Sequence, residues 1–251
     1  MARLSNLNIE FVGCGDAFGS GGRFNTCFHV TGDGTDFLID CGASSLIALK
    51  ARNTDLSAIG TILVTHFHVD HFAGLPFFML EAQFFSKRTA ALTVAGPAGI
   101  EERYHSLSEM LFPGSSATVP QFPLRFVELG PGHSQDLDRL SVEAFEANHG
   151  GVGGPFLGYR IEVGGRTIAY TGDTEWTDRL IELGRGADLL IAEAYFFDKK
   201  VPLHLDYTTL AENLDRMQPR KVVLTHMSED MIGREIPPPF QLAHDGLQVA
   251  L

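Results

Sequence analysis

One stretch of this chain decides its interpretation: Thr65-His66-Phe67-His68-Val69-Asp70-His71-Phe72-Ala73-Gly74. Four potential metal ligands fall within six consecutive residues of it, in the pattern HxHxDH. The stretch follows a short apolar run, residues 62–64, that predicts a buried strand, and precedes an apolar run over residues 75–85 with helical spacing. Burying four such side chains without partners would cost free energy, so packing does not explain them. The stretch therefore predicts a metal site.

The spacing of these four side chains predicts how they are arranged. In extended backbone, residues two apart point to the same side, so His66 and His68 should share a face. Asp70 and His71 should lie on the turn where the chain enters the helix. Imidazole and carboxylate ligands without a thiolate suit zinc, although manganese and iron accept the same donors. This geometry serves two adjacent metal ions.

Further ligands must come from distant parts of the chain. The candidates are His149, Asp173 and His226, each of which follows a predicted strand. Strand ends that lead into loops are where a rigid scaffold usually presents functional groups. We interpret the remaining isolated histidines as structural or surface residues; they include His29, His105, His133 and His244.

Composition limits the classes of function. The chain has 251 residues, of which 44% are hydrophobic, enough for one large domain with a full core. With 31 acidic and 19 basic residues its formal charge is −12, which disfavours loose binding to nucleic-acid backbones or anionic membranes. A nucleic-acid substrate would therefore have to be bound locally. The three cysteines show no spacing that predicts a disulfide framework or a thiolate metal site.

Neither a leader nor a membrane segment is predicted. The first residues lack an apolar segment ahead of their charges, and no later run approaches about 18 uninterrupted apolar residues. These observations predict a cytoplasmic protein that does not contact a membrane.

Short strands, loops and helical segments alternate along the chain. A Gly164-Gly165 pair between two β-rich runs, residues 157–163 and 166–170, predicts a hairpin, because glycine supplies the positive φ angles of a tight turn. The run Ile62-Leu63-Val64-Thr65-His66 is echoed by Val222-Val223-Leu224-Thr225-His226, which suggests a duplicated α/β unit. We predict one domain, residues 1–251, with two similar halves, roughly 1–150 and 151–251. Other predicted strands cover residues 9–12, 36–39, 92–94 and 189–192, and predicted helices cover residues 176–183 and 208–217.

The order of these motifs resembles a known family. HxHxDH, then a lone histidine, a Gly-Asp-Thr turn and a Thr-His pair are together similar to the metallo-β-lactamase superfamily, over nearly the whole chain. The resemblance implies an α/β (α+β) fold class, an αββα sandwich with the metals at one edge of its two sheets. The ligand sets that it implies are His66, His68 and His149 for one zinc ion, Asp70, His71 and His226 for the other, and Asp173 as the bridge.

Within the superfamily the chain looks most like the ribonuclease Z branch. Residues 13–25 are similar to that branch's glycine-rich opening loop, and imply that Arg23 and Asn25 bind substrate. The similarity also implies that Glu193 orients His204 as a proton donor. The branch's tRNA-processing members carry a long arm between the residues aligned with His149 and Asp173. Here the predicted hairpin takes up most of residues 150–172, which together with the acidic charge puts tRNA specificity in doubt.

These features predict a metal-dependent phosphodiesterase. Two zinc ions would activate water as hydroxide for attack on phosphorus, in RNA 3′-end processing or in hydrolysis of a small cyclic or nucleotide diester. His204 with Glu193 would protonate the departing alkoxide. Asp70 counts both as a ligand and as a catalytic residue, and Asp40 is interpreted as the carboxylate that orients a ligand histidine.

Three alternatives stay open. The same hydroxide could hydrolyse a thioester or a lactam, although enzymes that resemble zinc β-lactamases usually carry cysteine in place of Asp173. A di-iron oxidoreductase would resemble HxExDH, with a carboxylate in place of His68, and a non-catalytic module would have lost ligands. A homodimer is suggested only by analogy, since an enzyme without an arm could use a partner subunit to hold its substrate.

Helical spacing predicts that Phe77, Phe78, Phe84 and Phe85 are core residues rather than a base-stacking surface.

Overall fold

The computed structural model describes residues 6–151 and 154–251. Residues 1–5, which belong to the segment used for the leader prediction, lie outside the described residues. The first half of the fold consists of β1 (Asn8–Gly13), β2 (Cys27–Gly32), β3 (Thr35–Ile39), α1 (Ser45–Ala51), β4 (Thr61–Leu63), α2 (Val69–Phe72), α3 (Leu75–Leu80), β5 (Leu92–Gly96), α4 (Ile100–Leu111) and β6 (Leu124–Glu128). It continues with β7 (Ser134–Leu137), β8 (Leu140–Glu146), β9 (Leu157–Val163), β10 (Arg166–Tyr170), α5 (Arg179–Gly184), β11 (Leu189–Glu193), α6 (Tyr207–Met217), β12 (Val222–Thr225), β13 (Phe240–Leu242) and β14 (Gln248–Ala250).

The strands form two seven-stranded mixed sheets. The first has the order β14-β1-β2-β3-β4-β5-β6, and the second β13-β12-β11-β10-β9-β8-β7. Strands β3 to β6 are parallel, and so are β10 to β13, whereas the other neighbours are antiparallel. Parallel neighbours end at the same edge of a sheet, which is where open α/β sheets usually bind ligands. The metal loop, residues 65–74 with the HxHxDH pattern, follows β4 at this edge.

Strand alternation divides the interior into two apolar cores. Along β3, Phe37 and Ile39 point into a core between the two sheets, while Leu38 points into a core between the first sheet and helices α1 to α4. Helices α5 and α6 pack on the outer face of the second sheet, where Leu183 and Met217 are buried. The layers are therefore helix, sheet, sheet, helix, as the resemblance implied.

Hydrogen bonds join the two sheets at the edge that carries the metal loop. The hydroxyl of Tyr159 donates to the carbonyl of Val64 at 2.5 Å, and the amide of Leu157 donates to the carbonyl of Thr65 at 3.1 Å. On the other side, the amide of His226 donates to the carbonyl of Cys14 at 3.1 Å. These bonds fix the ends of strands from different sheets against each other.

Two glycines let the metal loop lie close to the loop after β3. A Cβ atom on Gly42 would lie 2.1 Å from the carbonyl oxygen of Asp70, and one on Gly74 would lie 2.2 Å from that of Gly42. Any larger residue at these positions would push the segment that carries Asp70 and His71 away from the sheet. The glycines are thus part of the site's construction.

Many of the predicted elements are confirmed, with shifted ends. The hairpin lies at residues 157–163 and 166–170 as predicted, and α6 begins one residue before the predicted start. Helix α5 begins at Arg179 instead of residue 176. The switch between sheets does not fall at residue 150: β7 and β8 already belong to the second sheet, and β14 returns to the first. The division into two similar halves stays a prediction.

Within residues 6–151 and 154–251, no helix has the length and apolarity that crossing a bilayer requires.

Candidate metal centre

The HxHxDH segment leaves β4 and turns directly into a helix. His66 and His68 lie with their ring centroids 4.5 Å apart, on the extended segment before α2. His68 is the residue that precedes the helix, and Asp70 and His71 lie in its first turn. This is the arrangement that the spacing predicted, and it directs all four side chains to one side of the loop.

Three other loops bring distant side chains to the same place. His149 follows β8, Asp173 follows β10, and His226 follows β12. The ligand atoms of His66, His68 and His149 lie within 4.8 Å of one another, and so do those of a second group, Asp70, His71, Asp173 and His226. The structure therefore brings together all seven side chains that the sequence nominated as metal ligands.

Asp173 lies between the two groups. Its Oδ2 is 3.3 Å from Nε2 of His71 and 3.2 Å from Nε2 of His226, which belong to its own group. The same oxygen is 3.6 Å from Nε2 of His149 and 4.0 Å from Nε2 of His66, which belong to the other. One carboxylate is thus within reach of both groups, where a bridging ligand would stand.

Buried polar atoms without hydrogen bonds support the fit of the cluster to a metal centre. Nε2 of His66, Nε2 of His71, Nδ1 of His226 and Oδ1 of Asp173 are buried and have no hydrogen-bond partner among the described residues. Such atoms cost free energy when they are left without a partner. Imidazole nitrogens and carboxylate oxygens are the donors that zinc, manganese and iron accept. A divalent cation in each group would satisfy these atoms.

Neighbouring groups fix the orientation of two ligand histidines. Nδ1 of His71 donates to Oδ2 of Asp40 at 2.7 Å, and Asp40 also accepts bonds from the amide and hydroxyl of Thr65. Nδ1 of His149 donates to the carbonyl of Leu203 at 2.7 Å. In each ring the other nitrogen, Nε2, is left facing the cluster. A carboxylate or carbonyl behind the ring is the usual way to select the metal-binding tautomer.

Burial and charge set the ionisation of the cluster. Burial lowers the pKa of His66 well below its usual range and lowers that of His149 to about 4, which favours the neutral ring that binds metals. Burial alone would also lower the pKa of His71, but Asp173, Asp70 and Asp40 hold it well above its ordinary value. Asp173 is the reverse case: burial would raise its pKa, and His226 and His71 lower it well below the usual range.

Asp40 provides a test of this orientation. We expect Asp40→Ala to weaken metal binding by about 10- to 100-fold, because the ring of His71 loses the acceptor that fixes it. A chelator competition on the purified protein measures the affinity. The control is Asp136→Ala, which removes an exposed carboxylate from β7. Equal metal affinity in wild type and Asp40→Ala would contradict the assigned role.

A hydrogen-bonded pair lies beside the cluster. Nδ1 of His204 contacts Oε1 of Glu193, the last residue of β11, and the amide of Thr174 donates to Oε2 of Glu193 at 2.7 Å. The ring of His204 lies parallel to that of His226, with centroids 5.7 Å apart. Burial would lower the pKa of His204, but its bond to Glu193 raises it above the ordinary value. The bond to Glu193 thereby favours the protonated form of the imidazole next to the candidate ligands.

The cluster opens onto a cleft, which the predicted substrate-binding residues do not line. Asn25 donates to the carbonyl of Asp16 at 3.2 Å and accepts from the amide and hydroxyl of Ser44, so its amide group joins two loops. Arg23 also lies outside this lining, and substrate binding by both residues stays a prediction. The cleft is lined by Ala17, Phe18, His68, Asp70, His149, Asp173, Tyr195, Leu203, His204 and His226.

Phe18 and Tyr195 are the two aromatic residues among the lining residues that could not be predicted from the sequence. Phe18 lies in the glycine-rich loop, in which substrate binding was predicted for Arg23 and Asn25 instead. Tyr195 comes two residues after Glu193 and stacks on His204, with centroids 4.7 Å apart and planes at 26°. In the sequence, only its position two residues after Glu193 indicates that Tyr195 lies near the cleft.

An αββα sandwich that carries a histidine and aspartate cluster at one edge of its sheets defines the metallo-β-lactamase class of fold. Residues 35–227 match the family described as Beta-lactamase superfamily domain, and the chain belongs to this family.

Individual relatives agree with this membership. The chain is 27% identical to the ribonuclease Z of Methanosarcina acetivorans, over 88% of each chain. The crystal structure of human tRNase Z, short form, superposes with a TM-score of 0.78 at 25% identity and covers 96% of this chain and 98% of its own. A diphosphatase from the PhnP family shares the fold, with a TM-score of 0.77 at 21% identity and 97% of each chain covered. The predicted fold class, the superfamily and the similarity to ribonuclease Z are confirmed.

Proposed function

We propose that this chain is a metal-dependent hydrolase of phosphodiester bonds, similar to ribonuclease Z in its chemistry. The observation that carries the proposal is the position of Asp173, whose Oδ2 lies within 4.0 Å of imidazoles from both ligand groups. The curated relatives are named ribonuclease Z, which supports a phosphodiester as the bond that is cleaved.

The ligand side chains would hold two cations, one in each group. When bound, a pair of divalent cations supplies an activated water and charge stabilisation for in-line displacement at phosphorus. His66, His68 and His149 would hold one of them, and Asp70, His71 and His226 the other, with Asp173 shared. We propose zinc for both, because the donors are imidazoles and carboxylates without a thiolate.

The pair of Glu193 and His204 would complete the chemistry. Glu193 holds Nδ1 of the imidazole, so the opposite ring edge of His204 is the one that can give a proton to the departing oxygen. An alkoxide leaves reluctantly because its conjugate acid is weak, so a positioned donor contributes about 10²- to 10⁴-fold in rate. Asp70 lies on the cleft wall, and we assign it a ligand role that also holds the second cation toward the substrate.

We propose RNA 3′ ends or small nucleotide diesters as substrates. Residues 157–163 and 166–170 form a tight hairpin, so the segment between His149 and Asp173 is short. A formal charge of −12 disfavours loose binding to the backbone of a folded nucleic acid. Both facts favour a substrate that is bound chiefly within the cleft.

The test is hydrolysis by the purified chain loaded with defined metals. We expect Zn²⁺- or Mn²⁺-loaded protein to cleave bis(p-nitrophenyl) phosphate, and a panel of precursor tRNA, short RNA and cyclic dinucleotides to identify the preferred diester. A thioester and a lactam belong in the same panel as acyl controls. Faster turnover of an acyl substrate, or no diester cleavage with any metal, would contradict the proposal.

Cytoplasmic location, a single domain over residues 1–251 and a homodimer stay predictions.

A further inference from the structure

We infer that the cleft contains a subsite for an aromatic ring, in which Phe18 stacks on the base of a nucleotide next to the scissile phosphate. The inference rests on the proposed function, and it adds the residue that would contact the nucleobase of such a substrate. Phe18 lies in the loop between β1 and β2, on the wall of the cleft that also contains His68, Asp70 and Asp173.

Phe18 is exposed without a packing reason. Its exposed fraction, 83%, is the highest among the large hydrophobic side chains of the described residues. A single exposed apolar side chain is ordinary on a protein surface. Phe18 combines this exposure with a place on the wall of the candidate active site, where a flat ligand could cover it. Leu203, which is 36% exposed, lines the same cleft but carries no aromatic ring.

The loop that presents Phe18 is held in place. The buried carboxylate of Asp16 accepts from the amide of Phe18 at 3.1 Å and from the amide and hydroxyl of Ser20 at 2.9 and 2.7 Å. Farther along the loop, the amide of Gly21 donates to Oε1 of Glu229 at 2.7 Å. A loop tied at these points loses little conformational entropy when a ligand stacks on its aromatic ring.

A second aromatic ring lines the same cleft. Tyr195 stacks on His204, and its amide donates to the carbonyl of Leu205 at 2.8 Å. The lining therefore offers aromatic surface beside the groups that would bind the phosphate. Because Tyr195 also contacts the proposed proton donor, Phe18 is the residue whose replacement tests the subsite cleanly.

A nucleobase is the ring that fits this chemistry. Every base has a π face, and stacking on an aromatic side chain does not depend on the sequence. Stacking also needs no positive charge, which suits a chain with a formal charge of −12. Removing such a ring typically weakens nucleotide binding by about 5- to 150-fold.

The first measurement is equilibrium binding to the metal-loaded full chain by calorimetry. AMP and ribose 5-phosphate share a sugar phosphate and differ by the base, so the ratio of their affinities reports the base contact alone. We expect AMP to bind more tightly, and Phe18→Ala to lower this ratio by about 5- to 150-fold. Phe18→Trp should preserve the ratio, whereas Phe18→Leu, which keeps apolar bulk without a ring, should lower it.

The matched control is Phe85→Ala, since Phe85 is 77% exposed and lies outside the cleft lining. Circular dichroism checks that each variant is folded. An affinity ratio near one in wild type, or an equal ratio in wild type and Phe18→Ala, overturns the subsite.

A second measurement separates this inference from the proposed function. Thymidine 5′-(p-nitrophenyl phosphate) and methyl p-nitrophenyl phosphate release the same leaving group, and only the first carries a base. Hydrolysis of both with equal kcat/KM would leave the phosphodiesterase standing and overturn the subsite. An AMP preference that depends on Phe18, without hydrolysis of either diester, would support the subsite and overturn the proposed function.

Discussion

Replacing Asp173 by asparagine is expected to lower kcat/KM for bis(p-nitrophenyl) phosphate by about 10³-fold or more, and to reduce the bound metal from two equivalents. The side chain keeps its size, but it loses the negative charge that lies within 4.0 Å of imidazoles from both ligand groups. A pair of cations needs this charge to offset their mutual repulsion. A thousandfold loss corresponds to about 4 kcal/mol of transition-state stabilisation. Bound metal ions contribute several kcal/mol of charge stabilisation in the transition state, so a loss of this size is expected when the pair is disrupted.

Two measurements on the same preparations check this expectation. Metal content by mass spectrometry reports occupancy, and steady-state kinetics at saturating metal reports the chemistry. Asp178→Asn is the matched control, because Asp178 is an exposed carboxylate whose side chain is 75% accessible. If Asp173→Asn bound two metal equivalents and kept activity within tenfold of wild type, Asp173 would not be a bridge.

The part of the candidate site whose ligands lie close together in the sequence could be predicted directly. The HxHxDH segment keeps four ligands within six residues, so strand and helix geometry alone decides which way they point. His149, Asp173 and His226 were found because each follows a strand, and parallel strands end at one edge. The hairpin at Gly164-Gly165 was likewise fixed by its turn residues.

The strands that could not be predicted from the sequence depend on pairing with distant segments. Strand β14 pairs with β1 through Asn8 and Ala250, near opposite ends of the chain, and its three residues carry no pattern of their own. Strand β7 is a polar edge strand in which only Leu137 is buried. Short edge strands are specified by their neighbours, so periodicity does not reveal them.

Phenylalanines show how a local irregularity misleads a periodicity argument. Helical spacing over residues 75–85 predicted that Phe77, Phe78, Phe84 and Phe85 pack in the core, yet only Phe78 is buried. After Leu80 the helix widens into a π-helical turn, Glu81–Phe85, which shifts the side chains within it. Phe84 and Phe85 are therefore exposed, at 62% and 77%. The phenylalanine on the cleft wall is instead Phe18, in a loop where no periodicity applies.

The expected effect of His204→Ala depends on the leaving group. For a short RNA or a dinucleoside phosphate, whose alkoxide must be protonated as it departs, we expect a loss of about 10²- to 10⁴-fold in kcat/KM. For bis(p-nitrophenyl) phosphate we expect a much smaller loss, because p-nitrophenolate is stable without a proton. The ratio of the two rates, measured in wild type and in the variant, isolates proton donation from binding.

Glu193→Gln and metal analysis complete this test. Glutamine can still hydrogen bond to Nδ1 of His204 but lacks the charge that raises the pKa of the imidazole, so it should also act selectively on the alkoxide substrate. Nitrogen atoms of His204 also lie within 4.8 Å of ligand atoms in His149 and Asp173, so a metal-binding role is the competing explanation. That role predicts lost metal and equal losses on both substrates. Full metal occupancy with a selective loss supports the proton donor. The control is His105→Ala, because His105 is an exposed histidine on α4.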